Sequence, residues 1–330
     1  MDIQPNISIL IAARNEASNI LDLLVSVENL NYPKEKLDVL IGDDASSDET
    51  ATIIQNYIAD KPHYQLFEIV EKRAGLLGKT NVLAQLTAKA KGDYFFITDA
   101  DIKLPQNWIS SMLDFKTENV GVITGVTIVD GPSIFHKCQA IEWLVALKLI
   151  KTLSDFKVPV TGMGNNMVVS KIAYESVGGY EKIGFSIVED YAIFKAIVAQ
   201  NFGFIQHFNQ DVLATTKPPA NLKTYFQQRK RWLTGGIKSG SVLLIPAFLQ
   251  ALLLPFLLVL AFLNLKITLL FWGVFFGINM VVAIKAILKT KQNHLLAYLI
   301  PFHGYLLVFM FLQLVFYIYP SKINWKGREY

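Results

Sequence analysis

From about Ser241 onward the chain reads as three long apolar runs, Val242–Leu263, Thr268–Leu288 and Leu295–Tyr319, each near the roughly 20 residues that carry a helix across about 30 Å of hydrocarbon. Nothing else in the sequence restricts the fold so strongly, because a backbone in lipid must satisfy its own polar groups and a run of this length does so as a helix. The break after the second run holds Lys289 and Lys291, which predicts that it faces the cytosol, in line with a cytosolic N-terminal portion. Three crossings then put Lys322, Lys326 and Arg328 on the far side, against the positive-inside preference. Pro246 and Pro255 leave open that the first run is re-entrant or lies partly in the interface. Charge follows the same division: residues 1–240 carry 24 Lys and Arg against 26 Asp and Glu, and residues 241–330 carry 7 against 1. The net charge of +4 therefore belongs to the apolar tail as helix-orienting charge, and argues against nucleic acid as a partner. At 52% hydrophobic and 18% charged residues, neither a wholly soluble nor a disordered chain is expected. Cys138 is the only cysteine, which excludes an intrachain disulfide and any CxxC motif. Met1–Asn15 lacks the basic start of a secretory signal, so the N-terminus is expected in the cytosol.

The first 130 residues alternate β-type and α-type patterns at the pace of an open α/β sheet with buried, parallel strands. Strands are predicted at Ile7–Ala13, Leu37–Gly42, Gln65–Val70, Tyr94–Thr98 and Gly121–Val129, with helices between them such as Ala17–Asn29 and Lys79–Ala90. Ligands of such sheets bind beyond the carboxyl ends of the strands. There the sequence places Asn15-Glu16, Asp43-Asp44 and Asp99-Ala100-Asp101 after the first, second and fourth strands. Helix capping explains a single acidic cluster, and Ser18, Ser47 and Asp48 need do no more. Three clusters at one edge point instead to a ligand. Converging carboxylates repel a diphosphate unless a hard divalent cation, Mg²⁺ or Mn²⁺, lies between them.

Two other nucleotide sites fail at named residues. A dinucleotide fold needs G-x-G-x-x-G after the first strand, where this chain has Ala12-Ala13-Arg14-Asn15-Glu16-Ala17. The stretch Arg73–Thr80 nearly spells a P-loop, but Arg73 stands where the first glycine is required. Lys79 is either a point charge that reaches a donor phosphate or an ordinary lysine in a first helical turn. No His has a partner at metal-ligand spacing, so zinc is not expected.

Further along, Gly178-Gly179-Tyr180 reads as a flexible turn, and Glu189-Asp190 opens an apolar helix whose free N–H groups they could cap. Gln227-Gln228-Arg229-Lys230-Arg231-Trp232 precedes the first apolar run and could be a juxtamembrane anchor, with Trp232 at headgroup level and Lys223, Arg229, Lys230, Arg231 and Lys238 toward anionic lipid. Ser133–Leu153 is apolar but interrupted by lysines and Glu142, which fits an interfacial helix or one buried against the catalytic core. Gly162–Asn166 reads as a turn, for which backbone reasons suffice.

Taken in order, Ile11–Glu16, Gly42–Thr50, Thr98–Asp101, Glu189-Asp190 and Gln228-x-x-Arg231-Trp232 resemble the family 2 glycosyltransferases over about the first 235 residues. The membrane-bound members share the Q-x-x-R-W element. The resemblance implies a GT-A nucleotide-sugar-binding domain, a mostly parallel open α/β sheet flanked by helices, at residues 1–235, followed by a transmembrane domain at 236–330. It implies that Asn15, Glu16, Asp44, Lys79, Asp99, Gln228, Arg231 and Trp232 serve the nucleotide-sugar donor. Asp101 with Asp99 would hold the metal, Asp190 would be the general base, and Glu189, Asn165 and Trp232 would border the acceptor. Attack by one base-activated hydroxyl inverts the anomeric carbon. Three tail helices are few for a polymer channel unless a homo-oligomer forms, which favours one sugar added to a lipid-linked acceptor at the bilayer. The expected protein is an integral membrane enzyme whose catalytic domain faces the cytosol, as in a bacterial inner membrane. A processive polysaccharide synthase and a non-catalytic scaffold stay open as alternatives.

Overall fold

The computed structural model describes residues 4–115, 119–160, 163–239, 242–322, 324–325 and 328–329. Ser241, Gly162 and Lys326, named above, lie outside the described residues, as does the side chain of Lys238. The chain divides into two compact units, one of residues 1–127 and 150–216, the other of residues 128–149 and 217–330.

The elements of the first unit follow the hydrophobic pattern closely. They run β1 (Ile7–Ala13), α1 (Ile20–Glu28), β2 (Leu37–Asp43), α2 (Thr50–Ile58), β3 (Tyr64–Glu68), α3 (Lys79–Thr87), β4 (Tyr94–Asp99), β5 (Ile102–Lys103), α4 (Trp108–Met112) and β6 (Val120–Thr124). The strand expected over Gly121–Val129 is broken at Gly125, so that β7 (Val126–Val129) is separate. At Gly125 the wholly buried Asn166 side chain occupies the space a Cβ would need. After α5 (Ile134–Asp155) come β8 (Asn166–Ser170), α6 (Lys171–Ser176), α7 (Gly179–Ile183), α8 (Glu189–Ala199), β9 (Gly203–Gln206) and β10 (Leu213–Thr216).

Seven strands form one sheet in the order β3-β2-β1-β4-β8-β6-β9. All neighbours are parallel except β8, which runs antiparallel to both β4 and β6. β1 is buried along almost its whole length, as a central strand covered on both faces must be. Helix α3 lies so close to β2 that a Cβ on Gly42 would overlap Val82. Strand order reverses between β1 and β4, which makes the crevice beyond their carboxyl ends the place for a ligand.

In the second unit, α9 (Leu222–Ser239) is followed by α10 (Leu244–Leu263), α11 (Leu265–Lys289) and α12 (Leu299–Ile318). Among the described residues three segments, of 20, 25 and 26 residues, are long and apolar enough to cross a membrane. α10 is one continuous helix with Pro255 inside it. Asn264 ends α10 and accepts the Ile267 N–H with its side chain, capping α11. The apolar face of α5 is buried and not interfacial, but the rings on which Phe135 packs, Tyr225, Tyr305 and Phe309, belong to α9 and α12 and not to the catalytic core expected as its partner. For Arg229 and Lys230 the expected approach to anionic lipid is corrected. Arg229 pairs with Glu142, and the buried Lys230 donates to Tyr319 O and Ser321 Oγ, both at 2.8 Å, instead of facing lipid headgroups.

Candidate active site

Strand register brings the acidic clusters together. Ala12 pairs with Asp99 on β4 and Ala13 with Asp43 on β2, so residues ending β2 and β4 flank the end of β1. Asn166 pairs with Thr98, which levels Asn165 with Asp99. A helix joining parallel strands runs back against them, so α3 starts at this same edge with Lys79, and α8, which leads into β9, starts beside it with Glu189-Asp190.

The centre of the site is an ion triplet. Lys79 Nζ lies 2.6 Å from Asp99 Oδ1 and 3.0 Å from Glu189 Oε1. Burial alone would lower the Lys79 pKa, but the two carboxylates overcome it and hold the ammonium above the usual lysine range. Lys79 is thus more than a first-turn lysine. Gly78 before it has φ 56° and ψ −136°, a backbone suited to glycine, which lets α3 start there. Arg73, the residue that spoils the P-loop pattern, donates to Ala84 O at 3.1 Å and pairs with Glu181.

Asp190 turns an oxygen back to accept the Tyr191 N–H at 2.8 Å. Its flank is set by Gly164, where a Cβ would overlap the Asp190 Cβ and carboxylate. The glycine discounted as a turn residue is therefore required by a close approach. Asp101 accepts from Thr216 Oγ1 at 3.3 Å, and Asn165 Oδ1 from Thr127 Oγ1 at 3.1 Å. At the β1 and β2 ends, Asn15 (φ 53°) donates its N–H to Ser46 Oγ at 2.9 Å and accepts the Ser47 N–H at 2.8 Å. The buried Glu16 donates its N–H to Thr50 Oγ1 and accepts from Asn19 Nδ2 at 2.7 Å. These two residues tie the loops that present Asp44. Arg14 donates to the Asp44 carbonyl and stands 4.0 Å from its carboxylate. Asp48 caps α2 through Thr50, as its bland reading required.

Two groups escaped the sequence reading. Asn166 donates to Val126 O and Val212 O, both at 2.9 Å, and accepts from Trp108 Nε1 at 2.8 Å. The turn expected at Gly178–Tyr180 is present at Gly178 (φ 74°), and Tyr180 falls in the helix α7 that follows it. Burial first, and then the Glu189 carboxylate, pushes its phenol well above the ordinary value, and its buried hydroxyl has no hydrogen-bond partner among the described residues. No linear pattern marks either residue, since each acquires its surroundings from distant segments. Gln228, Arg231 and Trp232 lie on α9 in the second unit, with the Trp232 ring 5.3 Å from that of Trp143.

Among the described residues no three His, Cys, Asp or Glu side chains form a metal-holding group. A divalent cation bound to a sugar nucleotide takes one or two carboxylates and completes its shell with phosphate oxygens and water. Asp99 and Asp101 are hard oxygen donors of that kind, and fit such an ion.

The sequence profile of glycosyl transferase family 21 matches residues 2–330. A poly-β-1,6-N-acetyl-D-glucosamine synthase of Staphylococcus epidermidis is 30% identical over 234 residues, covering 70% of this chain and 54% of that protein. The probable glycosyltransferase YdaM of Bacillus subtilis is 25% identical over 241 residues, covering 70% and 55%. This chain spans about half the length of these curated relatives. Among solved structures, the mannosyltransferase PcManGT from Pyrobaculum calidifontis, in complex with GDP-Man and Mn²⁺, is similar in fold. The TM-score is 0.59 at 19% identity, over 93% of this chain and 88% of that one. The mostly parallel sheet is thus of the GT-A type, as the motifs implied.

Proposed function

Since this chain belongs to glycosyl transferase family 21 and is a glycosyltransferase by that membership, we propose that it moves one sugar from a nucleotide-sugar, of the UDP type, to a lipid or glycolipid acceptor at the cytosolic membrane face, inverting the anomeric carbon. The observation that carries this reading is the Lys79 ammonium held between Asp99 and Glu189. It gathers a cation and carboxylates from three separate segments at the ligand-binding edge of the sheet.

In this reading Asp44 recognises the base of the donor. Asp99 and Asp101 would hold Mg²⁺ or Mn²⁺, which would supply positive charge to the leaving nucleoside diphosphate. Lys79 adds a point charge to the same phosphates, leaving its carboxylate partners as the donor enters. Asp190 takes the proton of the acceptor hydroxyl on the opposite face of the sugar, and Gly164 leaves it room to do so. Gln228 and Arg231 bind the diphosphate, and Trp232 with Glu189 and Asn165 borders the acceptor. Residues 1–235 would supply this chemistry and residues 236–330 the membrane domain. The Mn²⁺ and GDP-Man of the Pyrobaculum structure support a metal and a nucleotide-sugar.

The test is a screen of UDP- and GDP-sugars with detergent-solubilised protein, reading nucleoside diphosphate release with and without a lipid extract. Release that depends on lipid with wild type, and is lost in Asp190→Asn while donor binding persists, is the expected result; unchanged turnover in Asp190→Asn overturns it. A second reading, a processive polysaccharide synthase, is favoured by the name of the Staphylococcus relative. Product length separates the two, since single addition leaves one sugar per acceptor.

A further inference from the structure

Helix α9 carries the Gln228–Trp232 segment, and its placement depends on a buried polar network within the second unit. Arg229 Nη2 donates to Glu142 Oε2 at 2.7 Å, and both side chains are almost wholly buried, at 9% and 12% exposure. The same carboxylate oxygen accepts from Tyr305 OH at 2.6 Å. Tyr305 has then used its proton, so the 2.8 Å bond between the two hydroxyls runs from Tyr225 to Tyr305, and Gln313 Nε2 donates to Tyr225 OH at 2.6 Å. A chain of donors from α12 and α9 thus ends on one carboxylate of α5. The guanidinium also lies over the rings of Trp232 at 4.7 Å, Tyr225 at 5.1 Å and Trp143 at 5.8 Å. Burial alone would lower the Arg229 pKa, but Glu142 and the surrounding tyrosines overcome it and hold it above the usual value.

A buried ion pair is a poor way to gain stability, because desolvation offsets its attraction; its best-attested use is to fix register. Here the register is the rotation of a helix. Tyr225, Arg229 and Trp232 recur at helical spacing and form one face, turned into the network. Gln228 and Arg231, three residues apart, share the neighbouring face. Lys230 is held separately by Tyr319 O and Ser321 Oγ.

We infer that Glu142 is a positioning residue that, through Arg229, sets the rotation of α9 and so the placement of Gln228, Arg231 and Trp232, with Tyr305 and Gln313 of α12 completing the clamp. The apolar helix α12 is then part of the donor-binding apparatus and more than an anchor. This rests on the reading of Gln228, Arg231 and Trp232 as donor-binding residues. Misplacing such groups by about 1 Å is enough to cost up to about a hundredfold in rate.

The experiment compares Glu142→Gln, Glu142→Asp, Tyr305→Phe and Arg231→Ala in the full chain in detergent. Hydrogen exchange over residues 222–239 and equilibrium binding of nucleoside diphosphate are measured for each. Glu142→Gln should speed exchange in this helix and weaken diphosphate binding at least about tenfold, with Tyr305→Phe intermediate and Glu142→Asp recovering most of both. Unaltered exchange in Glu142→Gln overturns the clamp. Faster exchange with unaltered binding, while Arg231→Ala abolishes binding, overturns the positioning role. Arg231→Ala that binds normally would instead refute the donor-binding role of this helix, and exchange still decides whether Glu142 clamps it.

Discussion

The ammonium of Lys79 stands 2.6 Å from Asp99, joining the first turn of a helix to the last residue of the central strand β4. Lys79→Met should lower kcat/KM for the nucleotide-sugar by about a hundredfold, the scale of losing one preorganised charge partner. Lys79→Arg should recover part of the loss. Because the ammonium is held above its ordinary pKa of 10.5, Lys79 contributes no limb to the pH–rate profile below that value. Nucleoside diphosphate release against pH checks both.

Gly164→Ala should lower kcat by about tenfold to a hundredfold while donor affinity stays at the wild-type value, since the new methyl overlaps Asp190. Initial rates alongside a direct donor-binding isotherm test this. A loss of donor affinity equal to the loss in rate would contradict it.

Chelation of divalent cations should stop transfer, and Mn²⁺ or Mg²⁺ should restore it. Asp101→Asn should raise the metal concentration for half-maximal activity by at least about tenfold, given what even outer-sphere partners contribute to metal sites. Full transfer in excess chelator would remove the metal from the proposed mechanism.

Asn166→Leu should destabilise the α/β unit by about 3 kcal/mol or more, because the indole N–H of Trp108 and the carbonyls of Val126 and Val212 lose their buried partner. Thermal melting should show a fall of roughly 6 °C or more. A change within error would mean that water or a rearranged loop replaces the amide.

The fold should lose stability in mild acid through His207. Burial lowers its pKa below the ordinary 6.5, against the raising effect of its bond to Met112. A base with a depressed folded pKa contributes stability that is fully present above the unfolded value and declines as pH falls below 6.5, where the unfolded chain binds the extra proton. His207→Gln should flatten the dependence of melting temperature on pH between neutrality and that region. An unchanged slope would assign the proton uptake elsewhere.

Features encoded by short-range physics were legible from residue order. Short, nearly continuous apolar runs became the buried strands β1, β2 and β4, and three runs of membrane length became the helices α10, α11 and α12. Acidic residues directly after strands could be placed at the carboxyl edge, because in an α/β sheet chain order largely dictates which end of a strand they occupy. The antiparallel entry of β8 beside β4 was not legible, since pairing partners are chosen by packing across the whole unit. The same holds for the roles of Gly164, Asn166 and Tyr180, and for the buried pair of Glu142 and Arg229 that a local reading assigns to surface charge. Each depends on a neighbour far away in the chain. Such contacts exist only once the chain is folded, because burial and charge pairing are properties of the space around a side chain and not of the residues beside it in sequence.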